Sequence, residues 1–323
     1  MKFTERQLQA FASPLSESEE ERCKNAIRMI RDAMKLIGYS DNNKEIYKYE
    51  GETTAYALEL NAANSGRKLF LLVQGSYANN TNVRTQSDVD VAVILESTFI
   101  PQYRANVTGE KYGFSEGTFT VEGLKDEVER ALKTKFNNEG IERNDKSIKV
   151  HGNSYRVDSD VVPAYRHRDY RGDYTYDANN YVGGIEIRPD SGGKIINFPE
   201  QHIKNGKRKN SETNHKYKRH VRIMKKMKSL MKESGYQVPT SISSFGLESL
   251  LWNIPNSVYE KYTSLRFVFD ELLKFLNNDF ENFEGYKEAN GIKTLFTSTN
   301  HQEDYKEFIR SLSEFYQYDI TEA

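Results

Sequence analysis

The sequence has few of the residues on which disulfide-stapled, zinc-bound or membrane-embedded proteins depend. A single cysteine, Cys23, excludes an internal disulfide and a multi-cysteine zinc site. Apolar runs such as residues 69–73 are far shorter than the ~20 residues that a membrane span requires. The first 23 residues carry charge throughout and lack the apolar stretch of a secretory signal. We therefore expect a cytoplasmic protein without a membrane partner.

The net charge is also small, but its distribution is uneven. The 323 residues include 46 basic and 47 acidic side chains, so the net charge is −1. No overall field attracts nucleic acid or an anionic membrane. Residues 204–232 nevertheless hold twelve basic residues and one acidic residue, which leaves a net charge of −12 on the rest of the chain. A large nucleic-acid acceptor needs a broader basic track than this one segment, so the sequence gives no strong evidence for a nucleic-acid partner.

Length and residue patterns predict a mixed α+β protein with two lobes. At roughly 150 residues per domain, 323 residues correspond to about two domains. Residues 1–200 are predicted to form one lobe that opens with a helix over 16–37, for which Ser16 and Glu19 supply a capping box. Residues 201–323 are predicted to form a helical lobe, with helices over 213–234, 245–254, 258–277 and 303–316.

The strands of the first lobe are predicted from alternating and continuous apolar patterns. Residues 67–75 and 88–95 each fit a strand, a helix follows over 121–136, and strands are expected near 181–198 within an otherwise loop-rich 165–210 segment. Residues 147–165 fit a β-hairpin. We expect Gly152-Asn153 to form its two-residue turn and Pro163 to end its returning strand.

The strongest chemical signal is Gly75-Ser76 followed, after eleven residues, by Asp88-Val89-Asp90. Glycine allows the backbone to approach a phosphate, and the serine hydroxyl can bond to phosphate oxygens. Asp88 and Asp90 are two residues apart on one strand, so their carboxylates share a face. Two adjacent carboxylates within an apolar run are unfavourable without a cation, and hard oxygen ligands suit Mg²⁺ held together with substrate phosphates.

These motifs resemble the nucleotidyltransferase fold of DNA polymerase beta, poly(A) polymerase and the CCA-adding enzymes. With DVVPA at 160–164 and PLSESE at 14–19, the sequence resembles more narrowly the cGAS/DncV-like nucleotidyltransferases (CD-NTases) of bacterial anti-phage systems. The resemblance extends from Pro14 to about Pro255 and implies a polymerase-beta-like palm with a C-terminal helical lobe.

The resemblance also implies a catalytic and metal-binding triad of Asp88, Asp90 and Asp160. Spacing alone leaves Asp158 as a competitor for the third position, whereas the family pattern favours Asp160. The implied cofactor is a pair of Mg²⁺ ions, with Mn²⁺ as a substitute. The implied reaction joins NTPs into a cyclic oligonucleotide second messenger, which a separate effector protein reads, and we expect a monomeric enzyme.

Further nucleotide contacts are expected from the second lobe. Lys218 and Lys225 project from one face of the basic helix and are predicted, with Gly75 and Ser76, to bind the triphosphate; a solvated basic face is the alternative. Residues 243–245 resemble the region that contacts the donor nucleotide in this superfamily, which implies that Ser243 binds phosphate and that the nearby Phe245 either stacks on a base or packs in the core.

Two other functions fit the same motifs. A nucleotidyltransferase that modifies RNA or protein would share the three aspartates. A catalytically silent nucleotide-binding module would not need to retain all of them, which favours an enzyme.

Overall fold

A computed structural model describes residues 2–51, 54–83, 88–117, 123–298 and 301–318. The chain folds into two compact units. The β-rich unit comprises Ser16–Ala78 and Asp88–Glu200, and the helical unit comprises Met1–Leu15, Asn79–Ser87 and Gln201–Ala323, as far as these segments are described. The sequence-based division at residue 200 differs from this arrangement, because it assigns the first fifteen residues and the segment after Ala78 to the strand-containing lobe.

Within the described ranges, the β-rich unit is built on a ten-stranded mixed sheet. Its strands are β2 Tyr39–Ser40, β3 Tyr47–Lys48, β4 Tyr56–Ala62, β5 Lys68–Gln74, β6 Val89–Gln102, β7 Ile141–Arg143, β8 Ile148–Val150, β9 Ser159–Asp169, β10 Val182–Ile187 and β11 Ile195–Asn197. The main order is β11-β10-β9-β6-β5-β4-β2, with β3 beside β4, β8 beside β9 and β7 beside β8. The β6–β9 pair is parallel and lies at the centre of the sheet.

Two helices of the β-rich unit cover the sheet. They are α2 Glu17–Leu36 and α4 Leu124–Phe136, which pack on each other and contact β6 and β9. The predicted capping box of α2 is confirmed, because the Ser16 hydroxyl accepts the Glu19 N–H and the Glu19 carboxylate accepts the Ser16 N–H. The predicted start of α4, at residues 121–122, lies outside the described residues.

The predicted hairpin at 147–165 is wrong in two details. Residues 151–158 form an eight-residue connection between β8 and β9, rather than a two-residue turn at Gly152-Asn153. Strand β9 also continues through Pro163 to Asp169. Pro163 pairs with β6 on one side, while β8 pairs only with residues 159–161 and β10 only with residues 165–169. Pro163 has no N–H to donate, and it lies between the stretches of β9 that pair with β8 and with β10, so neither of these strands loses a hydrogen bond.

The helical unit contains most of the remaining helices and a short parallel strand pair. The helices are α1 Glu5–Ala12, α5 Pro199–Glu212, α6 Lys216–Glu233, α7 Ser244–Asn253, α8 Asn256–Glu260, α9 Leu265–Asn278 and α10 Gln302–Phe315, and the strands are β1 Lys2–Phe3 and β12 Gln317–Tyr318. Helix α1 and helices α6 to α10 share one core, to which α1 contributes Leu8 and Ala12. No helix among the described residues is long and apolar enough to cross a membrane.

Helix α5 corrects the prediction of a loop-rich segment reaching residue 210. Its sequence has one strongly apolar side chain, Ile203, so the usual helical periodicity is absent. The buried face is formed instead by His202, Ile203, Gly206 and Lys209. A Cβ at Gly206 would lie 2.6 Å from Oδ1 of Asn79, so glycine is what allows this close contact.

Candidate active site

The strand register of the β-rich unit places Asp90 directly beside Asp160. In the parallel pair, Asp90 of β6 is the partner of Asp160 of β9, and on the other side of β6 Asp90 pairs with Gln74 of β5. Asp88 precedes β6 and lies two residues before Asp90. All three carboxylate side chains are partly exposed. Acids from two strands that are far apart in sequence therefore share one end of the central strand pair.

The pKa values of these carboxyl groups reflect their crowding. Burial, followed by the charges of Asp160 and Asp88, raises the pKa of Asp90 to about 7. Burial and the charge of Asp88 also raise the pKa of Asp160, against the opposing effect of Lys149. Like charges this close are unfavourable without an added cation. The donor set, made only of carboxylate oxygens with excess negative charge, therefore fits a hard divalent cation such as Mg²⁺.

The Gly75-Ser76 turn borders this carboxylate group. Gly75 opens the short helix α3 (Gly75–Ala78) with a φ of +69°, in the left-handed region that favours glycine. A Cβ at this position would overlap Oδ2 of Asp90 and lie 3.3 Å from its Cγ. The turn is held by the buried Tyr77, whose hydroxyl donates a 3.2 Å hydrogen bond to the Glu20 carbonyl. Ser76 is partly exposed next to Gly75.

Asp158, the competitor for the third position, has other partners. Its Oδ1 accepts the backbone N–H of Gly152 at 2.5 Å, and its Oδ2 lies 3.2 Å from Nζ of Lys149. The Gly152 N–H and the Lys149 ammonium lower the pKa of Asp158, whereas the pKa of Asp160 is raised. The carboxylate of Asp158 is thus stabilised by the connection that precedes β9, while Asp160 stands in register with Asp90.

Lys149 is a component of the site that the sequence analysis missed. It is the cross-strand partner of Asp160 on β8, and its Nζ lies 3.1 Å from Oδ2 of Asp88. Its hydrogen bonds to Asp88 and then Asp158 raise the pKa of its ammonium group. The alternation of Ile148, Lys149 and Val150 was a usable signal, because it places Lys149 on the face opposite two buried side chains.

The ion pair between Asp88 and Lys149 bears on metal binding. Within the described ranges, no three His, Cys, Asp or Glu side chains are arranged as they stand to hold a metal ion. The Asp88 carboxylate is directed to Lys149. The residue types and the strand register fit a divalent cation. For Asp88 to bind such a cation, its carboxylate must turn away from Lys149.

In the helical unit, Lys225 lies in a buried polar cluster rather than on a solvated face. Its Nζ donates to the Thr81 carbonyl at 3.0 Å and lies 3.2 Å from Oε2 of Glu248. Burial lowers the pKa of Lys225 in spite of this carboxylate. Lys218 is also buried, and its backbone N–H donates to Oδ1 of Asn210. The predicted solvated alternative is therefore wrong for both residues, and the charge of Lys225 is already balanced within its own unit.

Glu248 is the centre of this cluster and was not identified from the sequence. Its carboxylate accepts a 2.6 Å hydrogen bond from the Thr81 hydroxyl and lies 2.8 Å from Nε2 of His202. Burial acts to raise the pKa of Glu248, but Lys225 and His202, together with Thr81, lower it to about 2. An acid surrounded by apolar residues in FGLESLLW was the available signal, because a buried carboxylate requires partners.

Ser243 and Phe245 lie at the start of α7. The Ser243 hydroxyl caps the helix by accepting the Gly246 N–H at 2.8 Å. The Phe245 ring is partly exposed and meets the His202 ring edge to face, with centroids 5.0 Å apart. Phosphate binding by Ser243 and base stacking by Phe245 stay predictions.

Sequence comparisons identify relatives along nearly the whole chain. Residues 204–317 match the family model of the cGAS/DncV-like nucleotidyltransferase C-terminal helical domain. The cyclic GMP-AMP synthase CdnE03 of Staphylococcus schleiferi is 42% identical over 98% of both chains. The cyclic dipyrimidine nucleotide synthase CdnE of Cecembia lonarensis is 34% identical over 91% of this chain and 90% of its own.

Solved structures give the same assignment. The Rhodothermus marinus CdnE c-UMP-AMP synthase with Apcpp and Upnpp aligns with a TM-score of 0.75 and 26% identity, over 96% of this chain and 95% of its own. The Elizabethkingia meningoseptica CdnE cyclic dinucleotide synthase with GTP and Apcpp aligns with a TM-score of 0.72 and 27% identity, over 97% and 99%. These likenesses confirm the predicted α+β fold with a C-terminal helical part, and the chain belongs to the cGAS/DncV-like nucleotidyltransferase family.

Proposed function

We propose that this protein is a cyclic oligonucleotide synthase that joins NTPs by metal-dependent nucleotidyl transfer. The observation that carries the proposal is the register of Asp90 and Asp160 on two parallel strands, with Asp88 beside them. Three carboxylates with excess negative charge, next to the Gly75-Ser76 turn, fit the chemistry that the family performs.

In this proposal Asp88, Asp90 and Asp160 hold two Mg²⁺ ions, for which Mn²⁺ can substitute. When bound, such ions neutralise triphosphate charge and make a sugar hydroxyl easier to deprotonate. Ser76 and the backbone around Gly75 bind phosphate oxygens of the donor NTP. Asp160 accepts the proton from the acceptor hydroxyl, a role that suits a carboxyl group whose pKa is raised.

The bonds that change follow from this assignment. The acceptor hydroxyl oxygen forms a bond to the α-phosphorus of the donor NTP, and the bond from that phosphorus to pyrophosphate breaks. The hydroxyl proton passes to Asp160. A second transfer, in which the remaining triphosphate is the donor, closes the ring. The enzyme contributes mainly by holding the reacting groups in line and balancing their charge.

In this proposal Lys218 and Ser243 contact the NTP, whereas Lys225 stabilises the helical unit. The ammonium of Lys225 is engaged by Glu248 and Thr81, so it supports the fold around the nucleotide contacts. Measurement of NTP affinity and of unfolding free energy for Lys218→Met and Lys225→Met separates the two roles.

The named relatives differ in base specificity. Their names include cyclic GMP-AMP, dipyrimidine, dipurine and UMP-AMP synthases. We further propose that the product is a second messenger for CBASS-type anti-phage signalling in the cytoplasm, made by a monomeric enzyme and read by a separate effector.

The test is product analysis with purified full-length protein, Mg²⁺ and all four NTPs. We expect a phosphatase-resistant cyclic product by mass spectrometry, and loss of that product in Asp90→Asn and Asp160→Asn. Asp177→Asn is the matched control, because Asp177 is exposed on the loop that precedes β10. Full activity of Asp160→Asn would contradict the site assignment. Product formation only after addition of RNA or a protein acceptor would instead favour an acceptor-modifying transferase, and NTP binding without pyrophosphate release would favour a silent nucleotide-binding module.

A further inference from the structure

Lys149 places a positive charge beside the proposed cation ligands. Its ammonium lies between two carboxylates, 3.1 Å from Oδ2 of Asp88 and 3.2 Å from Oδ2 of Asp158. It is also the cross-strand partner of Asp160. Because Asp88 is one of the proposed cation ligands, the ammonium and a divalent cation draw on the same carboxylate.

The backbone of Lys149 is fixed, while its charged end can move. The neighbouring Ile148 and Val150 are buried, and the three residues pair with β9. The ammonium is carried on a flexible four-carbon stem and is only partly buried. It can therefore leave Asp88 without any change in the strand.

Asp158 provides a second position for the ammonium. Its carboxylate is held by the Gly152 N–H and already forms an ion pair with Lys149. When Asp88 turns towards a cation, Lys149 keeps one carboxylate partner. Asp158 thus offers the ammonium a position that does not depend on Asp88.

We propose that Lys149 is a counter-ion that competes with the divalent cation for Asp88, so that the cation binds strongly only together with an NTP. The inference rests on the proposed function, because it takes Asp88, Asp90 and Asp160 as the cation ligands. A cation that arrives alone must displace the ammonium and remain close to its positive charge. An NTP brings negative phosphates that offset both positive charges, so the penalty disappears when the substrate is present.

The test measures binding of Mn²⁺ alone to the full-length protein, by the electron paramagnetic resonance signal of free Mn²⁺. We expect Lys149→Met to bind Mn²⁺ at least about tenfold more tightly than wild type without nucleotide, since a repelling charge next to the cation has been removed. With a non-hydrolysable ATP analogue, and after correction for the Mn²⁺ that the analogue binds without protein, the difference should shrink to less than about threefold. Lys146→Met is the matched control, because Lys146 is exposed on the preceding hairpin turn, and it should match wild type.

Thermal unfolding provides a second readout that does not depend on binding analysis. In EDTA, Lys149→Met should have a lower Tm than Lys146→Met, because Asp88 and Asp158 lose their counter-charge. Added Mn²⁺ should raise the Tm of Lys149→Met more than that of wild type, whereas a merely structural role would lower the Tm equally with and without Mn²⁺. Lys149→Arg, which keeps the charge, should restore wild-type behaviour in both assays.

The outcomes separate this inference from the proposed function. Equal or weaker Mn²⁺ binding by Lys149→Met than by wild type, while wild type does bind Mn²⁺ with the analogue, overturns the role of Lys149 alone. Absence of Mn²⁺ binding to either protein, with and without the analogue, overturns both proposals.

Discussion

The α-carbon of Gly75 faces the carboxylate of Asp90 so closely that a Cβ at position 75 would overlap Oδ2 of Asp90. The conformation of the Gly75 turn and the position of the Asp90 carboxylate therefore depend on each other. A change in either residue must be accommodated by the other, because φ at Gly75 is +69° and the turn is anchored by buried Tyr77.

Gly75→Ala is expected to abolish most activity. The added methyl group displaces the Asp90 carboxylate or the turn, and the positive φ adds strain of about 1–2 kcal/mol. We predict at least about a hundredfold loss of product formation, consistent with the large effect of small displacements in an active site.

Gly113→Ala is the matched control for this change. Gly113 has a similar φ of +72°, but no atom of the described residues lies within 4 Å of a Cβ added there. It should lose a comparable amount of stability, measured by urea unfolding, and retain activity. Equal activity of the two variants would show that the contact with Asp90 is unimportant.

Asp90→Asn is expected to stabilise the protein at alkaline pH while it removes activity. The pKa of Asp90 is raised from an ordinary value of 3.8 to about 7 by burial beside Asp160 and Asp88. The native state then binds a proton more tightly than the unfolded state, so stability falls as the pH rises from 3.8 to about 7. In EDTA at pH 8, we predict a gain on the order of 1–2 kcal/mol after solvent screening, and at pH 4 little change.

Asp158→Asn should lower the free energy of unfolding at alkaline pH, whereas Asp90→Asn should raise it. The Gly152 N–H and Lys149 lower the pKa of Asp158, so its carboxylate stabilises the native state above the unfolded pKa. This contribution is lost as the pH falls below about 4. Asp158→Asn is therefore less stable than wild type at pH 8 and similar to it at acidic pH; a stabilised variant at pH 8 would contradict the contrast between the two acids.

Glu248→Gln is expected to destabilise the helical unit. The substitution leaves the Lys225 ammonium buried without a negative partner and weakens the contact with His202. Removal of one partner of a buried ion pair costs about 3–5 kcal/mol. Glu260→Gln is the matched control, because Glu260 is exposed at the end of α8, and it should change the free energy of unfolding by less than about 0.5 kcal/mol.

A double variant tests whether Glu248 and Lys225 act as a pair. Glu248→Leu combined with Lys225→Met removes both buried charges. The double variant should therefore lose less unfolding free energy than the two single variants lose together. Urea unfolding of the four proteins gives the coupling energy. Additive losses would show that the two side chains contribute independently.

Cys23 is expected to be unreactive in the native protein. It is 2% exposed on α2, and burial raises the pKa of its thiol to about 12. Because the thiolate is the reactive species, Ellman's reagent should label less than a tenth of the protein in the time that fully labels the urea-unfolded chain. Rapid native labelling would mean that α2 detaches from the sheet on the time scale of the assay.

The parts of the fold that the sequence predicted well have strong local patterns. Helix α2 is marked by its capping box and apolar stripe, and β5 by a continuous apolar run. Asp88 and Asp90 stand out because acids interrupt an otherwise apolar strand. Such signals depend on neighbouring residues only, so they can be read without knowledge of the tertiary structure.

The missed features depend on contacts between distant segments. Pro163 is accommodated within β9 because β8 pairs with the residues before it and β10 with the residues after it. Helix α5 is buried through Gly206 and polar side chains rather than through an apolar stripe. Lys149 and Glu248 acquire their roles from partners 61 and 167 residues away, respectively Asp88 and Thr81. Residue spacing cannot indicate such pairs.

The helical unit draws on three separate stretches of the chain, and this affects its assembly during synthesis. The guanidinium of Arg222 on α6 donates to the carbonyls of Ala12 and Asn80, and Glu248 on α7 accepts the Thr81 hydroxyl. The ribosome releases the first two stretches long before α6 and α7 exist. Until then, Leu8 and Ala12 have no core against which to pack. A fragment that starts at residue 201 would lack the two earlier chain segments that complete the helical unit.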